Sequence, residues 1–266
     1  MAAGDLRIDG APASPNDLAR LALVNYGAYT SFRVEGGAVR GLDLHLARLE
    51  ASAIELFGEA VGEERLRRLM RAAVSDRPDC WLRVSLFSLQ IGPRTPEWRG
   101  VPKVMTAALP PPPPLAESLR LQVQRHSRHA PHLKHSGAFD LIRARRLARA
   151  AGFDDALFVD EAGRVSEGSL WNIGFLSGDL VVWPDAPMLA GVGQALVRRG
   201  LAAAGLNDTV ARVDLPDLGR FDGAFICNSA TPVCAVVAIG DHGFAVRGES
   251  IERLRAAWAS NPPQPI

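Results

Sequence analysis

The sequence predicts an α+β fold in two domains, and three observations lead to this prediction. Predicted strands and helices are mixed along the chain, without the strict alternation that a doubly wound parallel sheet requires. The spacing of apolar residues changes from the period of a strand to the period of a helix at Asp43. A proline run, Pro110–Pro114, then separates two segments that each contain both kinds of element. Such a run is extended and semi-rigid, so it is predicted to link two domains, with an edge loop inside one domain as the alternative.

The first predicted domain is a small N-terminal α/β domain over residues 1–109, followed by a linker over residues 110–117. One helix is expected to begin with Asp43 as its N-cap and to end before Gly58, since leucine and alanine recur there at helical spacing. Gly36 and Gly37 are expected to form a hairpin turn. The remaining elements of this domain are predicted as strands at Leu6–Asp9, Gly27–Val34, Ala38–Leu42, Trp81–Leu89 and Val101–Ala108, and as a helix at Glu63–Ser75.

The second predicted domain is larger and covers residues 118–266. Its first helix is expected to end before Gly152, and its second before Gly205, because glycine commonly follows the last turn of a helix. The three helices are predicted at Phe139–Ala151, Gly193–Ala204 and Ser250–Ala259. The strands are predicted at Leu119–Gln124, Asp155–Asp160, Arg164–Ser166, Asn172–Leu176, Leu180–Trp183, Val210–Val213, Ala224–Cys227 and Val233–Ile239.

Composition and charge exclude several classes of function. The net charge of +1 gives no electrostatic basis for binding nucleic acid or an anionic membrane. The first residues lack the basic and apolar regions of a signal peptide, and no apolar run is long enough to span a bilayer. The three cysteines are an odd number without metal-like spacing, which indicates small buried residues in a reducing compartment. We therefore expect a cytoplasmic protein.

Lys134 is a candidate for covalent chemistry because lysine is rare in this chain. Only two of the 30 basic residues are lysines, Lys103 and Lys134, and the other 28 are arginines. Arginine stays protonated in proteins, whereas a lysine amine can lose its proton and attack a carbonyl group. Lys134 is therefore a candidate Schiff-base lysine, and a surface lysine without such a role is the alternative.

Several short motifs appear in one order along most of the chain, from about residue 25 to about residue 240. Lys134 is followed by GFDDAL at 152–157, by VSEG at 165–168 with Asn172 five residues after Glu167, by LAGV at 189–192 and by CNS at 227–229. A weaker match, HLARL, lies at 45–49. Together these motifs resemble the class IV aminotransferases, the pyridoxal 5'-phosphate (PLP) enzymes of fold type IV. This family includes branched-chain aminotransferases, D-amino-acid aminotransferases and aminodeoxychorismate lyases.

The resemblance implies a role for each matching residue. Lys134 would hold PLP as a Schiff base and then move a proton, and Glu167 would face the pyridine nitrogen and keep it protonated. Without the resemblance, these residues also have ordinary structural interpretations. Glu167 would be an exposed carboxylate on a strand, Arg48 a solvated arginine, Tyr29 a core tyrosine and Ser229 a turn serine. The other cofactor-binding residues implied are Arg48, Val192, Gly193 and Ser229 for the phosphate, Tyr29 for the 3'-oxygen, and Asn172; the pocket wall is expected to include Tyr26, Trp171 and His132.

The expected activity is a ping-pong transamination between an amino acid and a 2-keto acid, in a homodimer whose partner subunit helps to form the site. The alternative with the same cofactor is an aminodeoxychorismate lyase that releases pyruvate. Phe139 stands where branched-chain enzymes have a tyrosine, and the segment 227–233 is also somewhat lyase-like. Gly193 stands where the family usually has threonine, which removes one phosphate-binding hydroxyl, and Arg83 is followed by no carboxylate-binding motif of the D-amino-acid enzymes.

Two alternatives come from other classes of protein. Four of the six histidines, His126, His129, His132 and His135, recur at every third residue, which suggests a metal site. Pro131 would interrupt a helix that stacked them on one face, and a strand would place them on alternating faces, so we expect no metal. The other alternative is a catalytically inactive binding protein, suggested by Gly193 and opposed by the presence of both Lys134 and Glu167.

Overall fold

A computed structural model describes residues 5–113, 116–245 and 248–266 of the chain. These residues form two compact units. The first unit comprises the described parts of Met1–Pro113 with Leu133–Gly137 and Pro263–Ile266, and the second comprises those of Pro114–His132 and Ala138–Pro262. The segment that carries Lys134 thus belongs to the first unit, whereas the sequence placed it in the second domain. Within the predicted linker, Pro114 and Leu115 lie outside the described residues.

The first unit is built on a five-stranded antiparallel sheet with the order β2-β1-β6-β5-β3. Leucine, valine and phenylalanine alternate along β3 and β5, so that one face of the sheet packs against helices α2 and α3 in a continuous apolar core. A short strand near the C-terminus, β16, pairs with β4. The elements of this unit are β1 (Asp5–Ile8), β2 (Ala11–Pro12), α1 (Pro15–Leu23), β3 (Gly27–Val34), β4 (Ala38–Arg40), α2 (Leu42–Phe57), α3 (Glu63–Val74), β5 (Cys80–Phe87), β6 (Lys103–Leu109) and β16 (Pro263–Pro265).

The segment Leu133–Gly137 runs along the outer edge of β3. The Tyr29 N–H donates to the Lys134 carbonyl at 2.9 Å, and the Ser136 N–H donates to the Gly27 carbonyl at 2.8 Å. Ala28 and His135 face each other in this antiparallel pairing. Lys134 is therefore held beside Tyr29 by backbone hydrogen bonds to a strand.

The second unit is built on a larger mixed sheet in which β9 also pairs with β10, so the six strands β7, β8, β9, β10, β13 and β14 close into a ring. Their apolar side chains form one core, and a second apolar cluster lies between the sheet and helices α5 and α6. The elements are β7 (Ser118–Arg125), α4 (Phe139–Ala150), β8 (Asp155–Val159), β9 (Val165–Gly168), β10 (Asn172–Ser177), β11 (Leu180–Pro184), α5 (Val192–Gly200), β12 (Asn207–Ala211), β13 (Gly223–Cys227), β14 (Cys234–Ile239), β15 (His242–Gly243) and α6 (Gly248–Ala259).

Most predicted elements are confirmed to within a few residues, and the differences have physical reasons. Asp43 is not the N-cap of α2, because the helix already begins at Leu42 after Gly41; Asp43 lies in the first turn, where its charge favours the helix dipole. The predicted strand after the Gly36–Gly37 turn ends at Arg40 and pairs mainly with β16. Helix α1 was missed although its start carries the signals of a helix N-terminus, with Ser14 as the N-cap and Pro15 in the first turn; none of its residues is buried.

Candidate active site

In the first unit, Lys134 and Arg83 both contact the ring of Tyr29. The Lys134 Nζ lies 5.0 Å from the ring centroid, and the Arg83 guanidinium carbon lies 3.6 Å from it. Arg83 also donates through Nε to the Ser85 hydroxyl at 3.1 Å. Burial lowers the pKa of the Arg83 guanidinium, and the neighbouring Tyr29 opposes this effect. The arrangement brings an amine, a phenol and a guanidinium group together at one place on the sheet.

Behind β3, His45 of the HLARL motif is fully buried and uncharged. Its Nδ1 lies 2.6 Å from the Thr30 hydroxyl, and its ring packs against Phe32 at 4.6 Å between centroids. Burial lowers the pKa of His45 well below its usual range, and the positive charges of Arg48 and Lys134 lower it further. The charge of Arg48, the predicted phosphate-binding arginine, therefore acts in the same neighbourhood as that of Lys134.

The buried His45 predicts that stability depends on pH just below neutrality. Because its pKa is lower in the folded state, the unfolded chain binds more protons below the unfolded pKa of about 6.5, and stability is lost as pH falls through that window. Urea unfolding should show about 1 kcal/mol less stability at about pH 5.5 than at about pH 6.5 from this group alone. His45→Gln should remove that component, whereas His129→Gln, at an exposed position, should keep it. An unchanged pH dependence in His45→Gln would contradict the assignment.

A cavity of about 180 Å³ opens on the face of the first sheet that carries Arg83. Tyr26, predicted as a pocket residue, lies on its wall, and its ring also meets Phe57 edge-on at 6.1 Å. Its further lining residues include Arg83, Ser85, Phe87, Met105 and Ser136. The cavity thus combines apolar walls with one guanidinium group, three hydroxyl groups and the Asn25 amide.

In the second unit, Glu167 is buried on β9 and its two oxygens have different partners. Its Oε2 accepts a hydrogen bond from the Leu189 N–H at 3.3 Å, and its Oε1 lies 3.5 Å from the Arg128 guanidinium. The Glu167 and Arg128 side chains are only 6% and 7% exposed. A buried carboxylate is stable only with such partners, so the exposed-strand alternative for Glu167 is wrong.

Helix α5 begins at Val192 in close contact with the end of β13. A Cβ atom on Gly193 would lie 2.7 Å from the carbonyl carbon of Asn228, which is closer than packed atoms approach. The first turn of α5 contains no acidic residue, and the first N–H groups of a helix have no partner within the helix. Gly193 is therefore explained by close backbone packing, which leaves no room for the family's usual threonine.

Asn228, the residue before Ser229, forms a tight turn beside this helix start. The Asn228 Oδ1 accepts hydrogen bonds from the N–H groups of Ala230 and Thr231 at 2.8 and 2.7 Å. The Asn228 amide donates to the Leu170 carbonyl at 3.2 Å. Ser229 directly follows Asn228, whose backbone packs against Gly193, so the predicted phosphate-binding residues Ser229 and Gly193 belong to neighbouring segments.

The close packing at Gly193 predicts that alanine is destabilising there. A methyl group must displace the Asn228 backbone, and overpacking of this kind costs about 1–3 kcal/mol. Gly248→Ala is the matched control, because Gly248 also starts a helix and a Cβ there would meet no atom of the described residues within 4 Å. Urea unfolding of both variants tests the difference, and equal stabilities would contradict the packing account.

Trp171 lies in the core of the second unit, so its placement does not favour the predicted role in a pocket wall. It is 3% exposed, and its indole N–H donates to the Asp155 carboxylate at 3.1 Å. Asp155 also accepts from the Ser169 hydroxyl at 2.6 Å and lies 3.4 Å from Arg145. The indole ring covers Gly168, where a Cβ would overlap it. Trp171 and Asp155 together fix the turn that follows Glu167.

The four clustered histidines do not form a metal site in the part of the chain that the structure describes. No group of three or more histidine, cysteine or acidic side chains there could hold a metal ion. His126 packs edge-on against Phe158 at 4.7 Å, while His129 and His132 are exposed. The three cysteines are free and buried, and burial raises the pKa of each thiol, to about 11 for Cys234.

Sequence reasoning missed two kinds of site residue. Arg128 was one arginine among 28 and carried no motif, so its pairing with Glu167 could not be predicted. Thr30 was not predicted because its hydroxyl contacts His45, which lies 15 residues further along the chain.

Among the described residues, no helix is long and apolar enough to cross a lipid bilayer.

The family profile described as "Amino-transferase class IV" matches residues 27–239, which is most of the chain. The chain belongs to the class IV aminotransferases, as the order of its motifs predicted. The matched region includes every predicted cofactor-binding residue from Tyr29 to Ser229.

Several solved structures have a similar fold. A branched-chain amino acid aminotransferase from T.th., complexed with N-(5'-phosphopyridoxyl)-L-glutamate, has a TM-score of 0.84 and 22% identity over 98% of this chain and 94% of its own. A protein assigned as a 4-amino-4-deoxychorismate lyase from Legionella pneumophila has a TM-score of 0.77 and 20% identity over 91% and 93%. A hypothetical aminotransferase from Mycobacterium tuberculosis in its PLP-bound form has a TM-score of 0.77 and 18% identity over 97% and 99%. At these identities the comparisons show the fold, which is the α+β architecture of PLP fold type IV.

Proposed function

We propose that this protein is a PLP-dependent aminotransferase that moves an amino group between an amino acid and a 2-keto acid. The observation that carries the proposal is the placement of Lys134 beside Tyr29 within a chain whose family match extends over residues 27–239. Two of the similar structures are PLP-derived complexes by name, which supports the cofactor.

The residues of the second unit fit this cofactor. A carboxylate opposite the pyridine nitrogen must be ionised and held in place, and Glu167 is buried with Leu189 and Arg128 as partners. A phosphate requires helix N–H groups, and helix α5 begins at Val192 beside Asn228, the residue before Ser229, with no acidic residue in its first turn. In the first unit, Arg48 would supply fixed positive charge to the phosphate.

Each of the chain's own groups would have a separate role in the reaction. Bound PLP supplies an electron sink for the electron pair left when a proton departs from the substrate Cα. The Lys134 amine would bond covalently to the cofactor and, once displaced by the substrate amine, would carry that proton. Tyr29 would hold the 3'-oxygen. Glu167 would keep the ring nitrogen protonated, and Arg128 would hold Glu167 in its ionised form.

A second candidate function is the lyase reaction, in which pyruvate is eliminated from aminodeoxychorismate. It is favoured by the sequence at 227–233, by Phe139 in place of a tyrosine, and by the similar fold of the Legionella pneumophila protein. The same lysine and carboxylate would serve both reactions, so the shape of the substrate pocket would determine which reaction takes place.

An assay of both reactions on one preparation tests the proposal. Purified protein with PLP is offered a panel of L- and D-amino acids with 2-oxoglutarate or pyruvate as acceptor, and separately aminodeoxychorismate. We expect keto-acid formation that depends on the acceptor. Pyruvate release from aminodeoxychorismate without any amino transfer would overturn the first function in favour of the second.

Two further properties belong to the proposal. A homodimer is supported by the family assignment alone, and sedimentation velocity tests it. A cytoplasmic location is supported by three buried, unpaired cysteines, which suit a reducing compartment.

A further inference from the structure

The segment before helix α5 is held by two side chains from neighbouring strands of the ring. The Asn172 amide donates to the Leu189 carbonyl at 2.8 Å and approaches the Met188 sulfur at 3.6 Å. The Leu189 N–H donates to Glu167 at 3.3 Å. Both backbone groups of Leu189 are therefore bound, one to each strand.

The two strands present these side chains at matching positions. Glu167 on β9 and Asn172 on β10 are direct partners in the antiparallel register. Both residues are buried, at 4% and 3% exposure, so water does not compete freely for their hydrogen bonds. The pair acts as one clamp on the backbone of Leu189.

The clamp also reaches the start of the helix. The Asn172 Oδ1 lies against Gly191, where an added Cβ would overlap it. Gly191 is the N-cap residue of α5, and its carbonyl accepts from the Ala195 N–H at 3.0 Å. Asn172 therefore links the position of the first turn of α5 to strand β10, which pairs with the strand that carries Glu167.

We propose that Asn172 is a positioning residue that fixes the first turn of α5 relative to the Glu167 carboxylate. Asn172 thereby determines how strongly the protein prefers a ligand that carries both a pyridine nitrogen and a phosphate over one that lacks the phosphate. This inference rests on the proposed function, which assigns the nitrogen to Glu167 and the phosphate to α5. It also revises the expected role of Asn172, because its amide is already engaged with Met188 and Leu189 and acts through them.

The test compares the binding of PLP with that of pyridoxal, which lacks the phosphate. Dissociation constants for both are measured by absorption titration of the cofactor-free protein, and their ratio reports the contribution of the phosphate. We expect Asn172→Ala to reduce the preference for PLP about tenfold, the effect of losing one buried hydrogen bond. Asn261→Ala is the matched control, because Asn261 donates to the Leu196 carbonyl of the same helix at 2.9 Å but away from its first turn. This control should keep the wild-type ratio.

Hydrogen–deuterium exchange gives a second measurement that does not depend on binding. Backbone amides of residues 188–193 should exchange faster in Asn172→Ala than in wild type, while β13 and β14 should be unchanged. A binding ratio within twofold of wild type, or unchanged exchange at 188–193, would overturn the inference. If the wild-type protein binds neither PLP nor pyridoxal, the proposed function fails, and exchange at 188–193 alone then decides the role of Asn172.

Discussion

Lys134→Ala is expected to abolish amino transfer, with a fall in rate on the order of 10⁴-fold or more, since it removes both the covalent attachment and the proton carrier. Lys134→Arg should be equally inactive, because a guanidinium group keeps its positive charge but does not give up a proton. Both variants retain the backbone hydrogen bond from the Tyr29 N–H to the carbonyl of residue 134, so the edge of β3 should remain folded.

The chain provides an unusually direct control, because it contains one other lysine. Lys103 lies on β6 and pairs with Asp9 at 3.4 Å. Lys103→Ala removes the same chemical group and should keep the wild-type rate within about twofold, as expected for an exposed ion pair. Steady-state transamination rates of the three variants test the assignment, and substantial activity in Lys134→Ala would remove Lys134 from the reaction.

Glu167→Gln is expected to lower kcat by about 10²–10³-fold, the usual effect of removing one electrostatic partner of the reacting system. The amide keeps the size of the side chain but carries no negative charge to hold the ring nitrogen protonated or to pair with Arg128. The fall should appear mainly in kcat, because the substrate does not contact this group in the proposed arrangement.

Glu161→Gln is the corresponding control, since the Glu161 side chain is 94% exposed in the turn between β8 and β9. It should match wild type in rate and in stability. Urea unfolding of Glu167→Gln must accompany the kinetics, because Arg128 would be left buried beside a neutral group. A folded Glu167→Gln variant with a rate within about fivefold of wild type would exclude the proposed role, since the expected loss is far larger.

Local patterns in the sequence predicted much of the fold. Strand β3 was placed at the correct residues because this stretch is apolar and aromatic, and the end of α2 followed from Gly58, which adopts a left-handed conformation there. The closure of the ring through β9 and β10, and the pairing of the Lys134 segment with β3, depend on contacts between strands rather than on the pattern within one strand. No local pattern encodes such pairings.

In the candidate site, too, local sequence patterns predicted some residues and not others. The motifs predict roles for Lys134 and Glu167 because the chemistry restricts which residue types can occupy those positions. The partners that hold them were not predicted, because Arg128 and the Leu189 backbone carry no distinctive residue type. Gly193 was interpreted as the loss of a hydroxyl, whereas the structure shows a close contact with Asn228 that excludes any side chain.

The central claim, that Lys134 holds PLP covalently, is tested most directly by the visible absorption of the protein incubated with PLP, before and after borohydride reduction. We expect a visible band that disappears on reduction, followed by recovery of a phosphopyridoxyl group on the peptide containing Lys134 and not on the one containing Lys103. The Lys134→Ala variant should show neither. Absence of the band at saturating PLP, or attachment at Lys103 alone, would contradict the claim.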